Sequence, residues 1–385
     1  MAVTKFVKLK DCATIIAGQS PQSKYYNTTG EGLPFFQGKA DFGELYPTVR
    51  VYCSKPTKIA EKDDILLSVR APVGPTNLSP GKICIGRGLT AIRPDDSLDL
   101  KYLLNYFRYF EIQLASKGTG TTFKAITQAV VKNLEISVPP KDEQRRIVSR
   151  IEELFSKLDK GVETLQTIKQ QLAVYRQAVL KEAFARIEEK RTIREMSVMV
   201  TSGSRGWAKY YADNGALFIR IGNLGHIGIS ICFDDVQCVD LPDKAEGIRS
   251  RLYGNDVLVS ITADLGSIGY VPENIPEAYI NQHIAMIRFK NPIQGKFMAW
   301  YLRSEYGQKD LLKNKRGGGK QGLGLDDIRN TRVPNVSNEY AEKIVQEIES
   351  RLSVCDSIEQ TVAEALIQAD AMRQSILKRA FEGKL

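Results

Sequence analysis

Only two histidines, His226 and His283, occur in 385 residues, and none of the six cysteines falls in a Cys-x-x-Cys pair. That spacing points away from a zinc site and toward buried free thiols in a reducing compartment. The chain has no run of about 18 apolar residues, so no helix that spans a bilayer is expected. Its opening, Met1-Ala2-Val3-Thr4-Lys5, lacks the apolar core of a secretory signal. A cytoplasmic protein that does not enter membranes is the expectation. Disorder is equally unsupported, because 43% of residues are hydrophobic and 26% charged, as in ordinary globular proteins. A nucleotide-binding loop is missing too: Gly317–Gln321 has neither the upstream glycine nor the Ser/Thr after the lysine.

What is present is a stretch written twice. Residues 142–185 align without a gap, at an offset of 197, onto residues within 338–382, and Ile147, Ile151, Glu152, Asp159, Arg176, Leu180, Lys181 and Phe184 recur as Ile344, Ile348, Glu349, Asp356, Arg373, Leu377, Lys378 and Phe381. In the first copy apolar residues run through Ile147, Ile151, Leu154, Leu158, Val162, Leu165, Ile168, Leu172, Tyr175, Val179 and Ala183; in the second, through Ile344, Ile348, Leu352, Cys355, Ile358, Val362, Ala365, Ala369, Met372, Ile376 and Ala380. Steps of three and four make one apolar face on a continuous helix. Each helix is expected to be roughly 65 Å long, and a lone amphipathic helix has nowhere to bury its stripe. The pair is therefore predicted to pack antiparallel about a pseudo-twofold axis, in the manner of a coiled coil.

The segments before the helices also match in order. Leu33-Pro34-Phe35-Phe36, Ile65–Val69 and Leu89–Ile92 are strand-like runs between turns, and Leu100–Ala115 carries Tyr102, Leu103, Tyr106, Phe107, Phe110 and Leu114 at helical spacing. The same succession returns at Ala216-Leu217-Phe218-Ile219, Val257–Ile261, Met286-Ile287-Arg288 and a helix through Phe297, Met298, Tyr301 and Leu302. The expected class is α+β: two similar, mostly β heads and two long helices, divided as 1–140, 141–187, 188–337 and 338–385. Charge follows this division. Lys and Arg exceed Asp and Glu by 18 to 12 in the first head and 19 to 15 over 191–337, whereas 338–385 carries 6 against 9. Basic heads suit a polyanion.

Pro139-Pro140-Lys141-Asp142-Glu143-Gln144 opens the first long helix and Arg176-Gln177-Ala178-Val179-Leu180-Lys181-Glu182-Ala183-Phe184 ends it. In that layout, over essentially its whole length, the chain resembles the specificity subunits of type I restriction-modification enzymes. Pro334-Asn335-Val336-Ser337-Asn338-Glu339, at the second helix, departs from the family by lacking the Glu-Gln pair. The resemblance implies a non-catalytic subunit whose two target-recognition domains each read half of a bipartite sequence in double-stranded DNA. It implies helices that set the unread spacer and dock two methyltransferase subunits, with restriction subunits as further partners. No cofactor is expected on the chain itself; the methyltransferase subunits would use S-adenosylmethionine.

Arg and Lys match guanine edges, Asn and Gln adenine edges, and hydroxyls and glycine-exposed amides suit phosphates. On that basis the candidate DNA contacts of the first head are Gln19, Ser20, Lys24, Tyr25, Lys39, Arg70, Arg87, Lys117, Thr119 and Thr121. Those of the second head are Ser204, Arg205, Lys209, Tyr210, Arg220, Asn223, Thr262, Gln282, Lys315, Arg316, Lys320 and Gln321. For each, a solvated turn residue is the plain alternative, and His283 is expected to pack rather than read a base. Two other functions compete. Asp95, Asp99 and Lys101 faintly resemble a magnesium-dependent nuclease signature, although no Asn-Pro-Pro-Tyr or Asp-Pro-Pro-Tyr methyl-transfer motif occurs. A coiled-coil scaffold with incidental basic heads is the other.

Overall fold

The structure, a computed structural model, describes residues 5–119, 124–225, 227–241, 248–315 and 322–385. It forms two compact units, Met1–Leu165 with Glu364–Leu385, and Gln166–Ala363. The long helices Lys141–Phe184 and Asn338–Phe381 each contribute part of their length to both.

In the first unit a four-stranded antiparallel sheet takes the order Ala13–Ala17, Leu89–Pro94, Ile65–Ser68, Thr76–Leu78. A five-stranded sheet beside it contains one parallel pair, Leu33–Phe36 with Ile83–Ile85. Ile65, Leu67 and Ile92 enter a core shared with the helix Leu100–Ser116, whereas Leu66 and Ala91 enter a second core with Phe36, Ile83 and Ile85. Both faces of these strands are buried, which is why their sequences are unbroken apolar runs. A two-stranded ribbon, Lys5–Lys8 with Glu135–Val138, joins the start of the head to its end.

The second unit repeats this plan. Its sheet order is Ser197–Ser202, Ile284–Phe289, Val257–Ser260, Ile268–Tyr270, and Ala216–Ile219 again pairs in parallel with Ala278–Ile280. Buried carboxylates recur as well: Asp64 takes a two-pronged contact from Arg93 at 2.7 and 2.8 Å, and Asp256 from Arg288 at 2.8 and 2.7 Å. The head helix differs. Where the first unit has one helix, the second has Gly295–Arg303 and Glu305–Leu311, split at Ser304, whose hydroxyl caps Gly307. A Cβ at Gly307 would lie 2.1 Å from the Tyr301 carbonyl, so this tight break requires glycine.

The helix endings are aromatic plugs. Phe381 packs on Tyr102, Tyr106 and Tyr109 at 5.3–5.5 Å between ring centres, and Phe184 on Phe297 and Tyr301 at 5.5 and 5.4 Å. Ion pairs are exchanged reciprocally. In the second unit Arg176 reaches Asp356 at 2.5 Å and Glu359 at 2.9 Å; in the first, Arg373 pairs with Asp159. Each joins one repeat to the counterpart position of the other, as an antiparallel pairing demands. Lys101–Glu152 and Lys296–Glu349 are likewise repeated, at 2.6 and 3.0 Å.

Two details differ from the sequence reading. Tyr175 and Met372, assigned to the buried stripe, are 43% and 52% exposed, while Arg176, the next residue, is 8% exposed. The arginines turn inward because a carboxylate on the facing helix receives them. Ile358, also assigned to the stripe, is 40% exposed. The missing Glu-Gln pair also has a structural counterpart. Gln144, fully buried, accepts the Asp99 N–H and donates to the carbonyls of Ser97 and Pro139. In the second unit buried Ala341 takes the place of Gln144, and Gln294, from the turn before the head helix, donates to the Val336 carbonyl instead.

Candidate nucleic-acid interface

The first head gathers its candidates where strands end. Gly18 makes this possible, since a Cβ there would lie 2.1 Å from the Gly86 carbonyl. The chain crosses at that point, and the Arg87 N–H donates to the Ser20 hydroxyl at 3.2 Å. Gln19 is tied by its backbone to Ile85, and its carbonyl accepts from Thr57 at 2.5 Å, leaving its side chain exposed. The Val69 N–H donates to the Gly88 carbonyl, and both Arg70 and Thr119 pair through their backbones with Ala125. Gln19, Ser20, Arg70, Arg87 and Thr119 therefore share one edge, with Lys117 at the end of the adjoining helix. Lys24 and Lys55 lie 5.1 and 5.0 Å from the ring centre of Tyr25. Lys39 lines a cleft of about 570 Å³ with Tyr26, Gln37 and Pro72. Burial pushes the Tyr26 phenol up, and it donates to the Pro21 carbonyl at 2.8 Å. Thr121 lies outside the described residues.

The second head brings six candidates into one cleft of about 580 Å³: Ser204, Arg205, Lys209, Tyr210, Thr262 and Gln282. Its glycine is Gly203, whose added Cβ would lie 1.9 Å from the Ile280 carbonyl. Arg249 lines the same cleft, and no described lining residue is acidic. Arg249 and Lys55 escaped the sequence reading, since only the fold brings them beside Arg205 and Tyr25. Thr262 pairs through its backbone with Gly322, as Arg70 does with Ala125. His283 is held by both ring nitrogens, 2.7 Å from the Thr262 hydroxyl and 2.9 Å from the Gln282 amide. It is half-buried.

Asn223 is a correction. Only 4% exposed, it accepts the Arg220 N–H through Oδ1 and donates from Nδ2 to the carbonyls of Cys232 and Asp235. Its amide is used up in holding a turn, so it has no edge to offer adenine. Arg220 stands outside the cleft lining, 4.0 Å from Asp235. Lys315 is exposed after the turn Leu312–Asn314, whereas Arg316, Lys320 and Gln321 lie outside the described residues.

The nuclease constellation is accounted for by structure. Asp95 accepts from the N–H and hydroxyl of Ser97, Asp99 caps the head helix through the Tyr102 N–H, and Lys101 is paired with Glu152. Among the described residues no group of His, Cys, Asp and Glu is placed to hold a metal ion. No described helix is long and apolar enough to cross a membrane.

Two heads of one design, each with a cationic, amide-bearing edge and each plugged by a long helix of a duplicated pair, define the class of protein by its architecture. Residues 3–173 and 249–367 match the family model described as the type I restriction modification DNA specificity domain. The chain belongs to that family. The unmatched residues between these stretches cover the end of the first long helix and the opening of the second head. The putative type I restriction enzyme MjaX specificity subunit of Methanocaldococcus jannaschii is 46% identical over 138 residues, 36% of this chain and 32% of that relative. The EcoBI specificity subunit of Escherichia coli is 26% identical over 324 residues, 76% of this chain and 67% of that relative. The fold is shared with a solved structure from work on complex assembly and conformational transition of the type I R-M system, at a TM-score of 0.75 and 18% identity, covering 99% of this chain and 98% of that one.

Proposed function

We propose that this chain is the DNA-reading subunit of a type I restriction-modification complex and performs no bond-breaking step itself. Each head reads one half of a bipartite target in double-stranded DNA, and the paired helices fix the unread gap. The observation that carries this reading is the equivalence of the two edges. The same glycine-permitted crossing presents basic and amide side chains in both heads, with Arg205, Lys209 and Arg249 around one cleft. Cations there would neutralise phosphates, and amide and guanidinium groups would meet base edges.

Two methyltransferase subunits, using S-adenosylmethionine, are the proposed partners, with restriction subunits joining the same complex in the cytoplasm. The helices keep apolar surface that their own pairing does not cover. Val174 and Val354 are 71% and 58% exposed in the second unit, and Ile367 is 71% exposed in the first. Partner subunits would cover it. Mapping modified bases in the source genome with and without this gene tests the function. Loss of methylation at an interrupted two-part motif is expected; an unchanged map in a strain with active methylation contradicts it.

A further inference from the structure

The two heads place different side chains at one structural position. In the first, three residues, Gly86-Arg87-Gly88, join the strand Ile83–Ile85 to the strand beginning at Leu89. In the second, Asn281-Gln282-His283 join Ala278–Ile280 to the strand beginning at Ile284. The flanking strands are equivalent: the first of each pair is the parallel partner of Leu33–Phe36 or Ala216–Ile219. The backbone bond after the turn is also equivalent, from Val69 to the Gly88 carbonyl and from Ile261 to the His283 carbonyl. Arg87 and Gln282 thus occupy the centre of the same turn, on the candidate edge of each head.

The chemistry of the two positions differs. Arg87 is exposed, and its guanidinium makes no hydrogen bond or ion pair among the described residues; only its backbone N–H is held, by Ser20. A guanidinium has donors alone, so it fits the one base that presents two adjacent acceptors in the major groove, guanine through O6 and N7. Gln282 donates one amide hydrogen to His283 Nε2, and His283 is fixed on its other side by Thr262. Its carbonyl oxygen and second amide hydrogen remain unused among the described residues. That acceptor and donor fit adenine through N6 and N7. The histidine does for Gln282 what packing rarely does for a surface amide: it fixes the plane of the reading group before DNA arrives.

We propose that Arg87 and Gln282 are the corresponding base-reading residues of the two heads, Arg87 selecting a guanine in one half-site and Gln282 an adenine in the other. This rests on the DNA-reading function proposed above. The test uses the full chain assembled with its methyltransferase subunits. The methylated motif is mapped for the wild type, Arg87→Gln and Gln282→Arg. Arg87→Gln is expected to change one guanine position in one half toward adenine, and Gln282→Arg one adenine position in the other half toward guanine. A wild-type motif retained unchanged by either variant, or both variants acting on the same half, overturns the proposal. So does a motif with no G·C pair in either half, or with no A·T pair in either half. Should a variant methylate nothing, the wild-type complex is bound to target duplexes carrying 7-deazaguanine or 7-deazaadenine at single positions. About a tenfold loss is expected at one guanine in one half and one adenine in the other; indifference to deazapurines throughout either half overturns it. Absence of any two-part motif dependent on the wild-type chain would instead remove the DNA-reading function on which the proposal stands.

Discussion

Single side chains in this protein divide sharply into those used up by the fold and those left over. Asn223 and Gln282 are both amides in polar stretches, and sequence alone treats them alike. Burial and three hydrogen bonds consume the Asn223 amide, whereas Gln282 keeps its carbonyl oxygen and one amide hydrogen. That difference depends on turns closed by distant residues, so no local pattern carries it. Cysteine shows the same division. Burial, aided by Asp95 and Asp11, pushes the Cys12 thiol up to about 11, so it stays protonated at pH 8. Cys232 is exposed. In the native chain a maleimide is expected to label Cys232 first and to reach Cys12, Cys53, Cys84 and Cys355 only after unfolding; mass spectrometry of the labelled peptides reads the order. Phe184, 3% exposed, is buried between Phe297 and Tyr301. Phe184→Ala is expected to lower stability by about 3–5 kcal/mol in urea denaturation.

At the scale of elements the long helices were the most legible feature, since a stripe repeated over forty-odd residues leaves no competing period. Their observed bounds, Lys141–Phe184 and Asn338–Phe381, follow the prolines and the Ala-Phe endings. Tyr175 and Met372 were misread because hydrophobicity assigns a face only to within one position. An arginine with a carboxylate partner across the pair takes the inward place. Arg176→Ala and Asp356→Ala are each expected to destabilise the second unit, by about 1–2 kcal/mol given the exposure of Asp356, and the double variant by less than their sum. A double-mutant cycle by thermal unfolding checks this coupling. The strand ends were less legible. Nothing local marks Gly18 and Gly203 as crossing points, yet an added methyl at either would strike backbone. Gly203→Ala is expected to cost about 3 kcal/mol and to weaken DNA binding, measured by denaturation and by titration with target duplex.

For the whole molecule, the duplication explains more than any single site. One head design is used twice, with diverged residues on the same edge, and under the proposed function the two heads would read their half-sites independently. The positive charge of both heads and the near-neutral helices were readable from composition, and the family from the duplicated layout and the endings of the long helices; the edge residues were grouped only by the fold. The account therefore predicts that specificity is modular. The most direct measurement is to replace residues 1–140 with the corresponding head of a relative of different specificity. The methylated motif is then read across a genome that carries the methyltransferase partners. One half of the motif is expected to be rewritten, with the other half and the length of the gap unchanged. Alteration of both halves, or a motif untouched by the exchange in a complex that still methylates, would contradict the account.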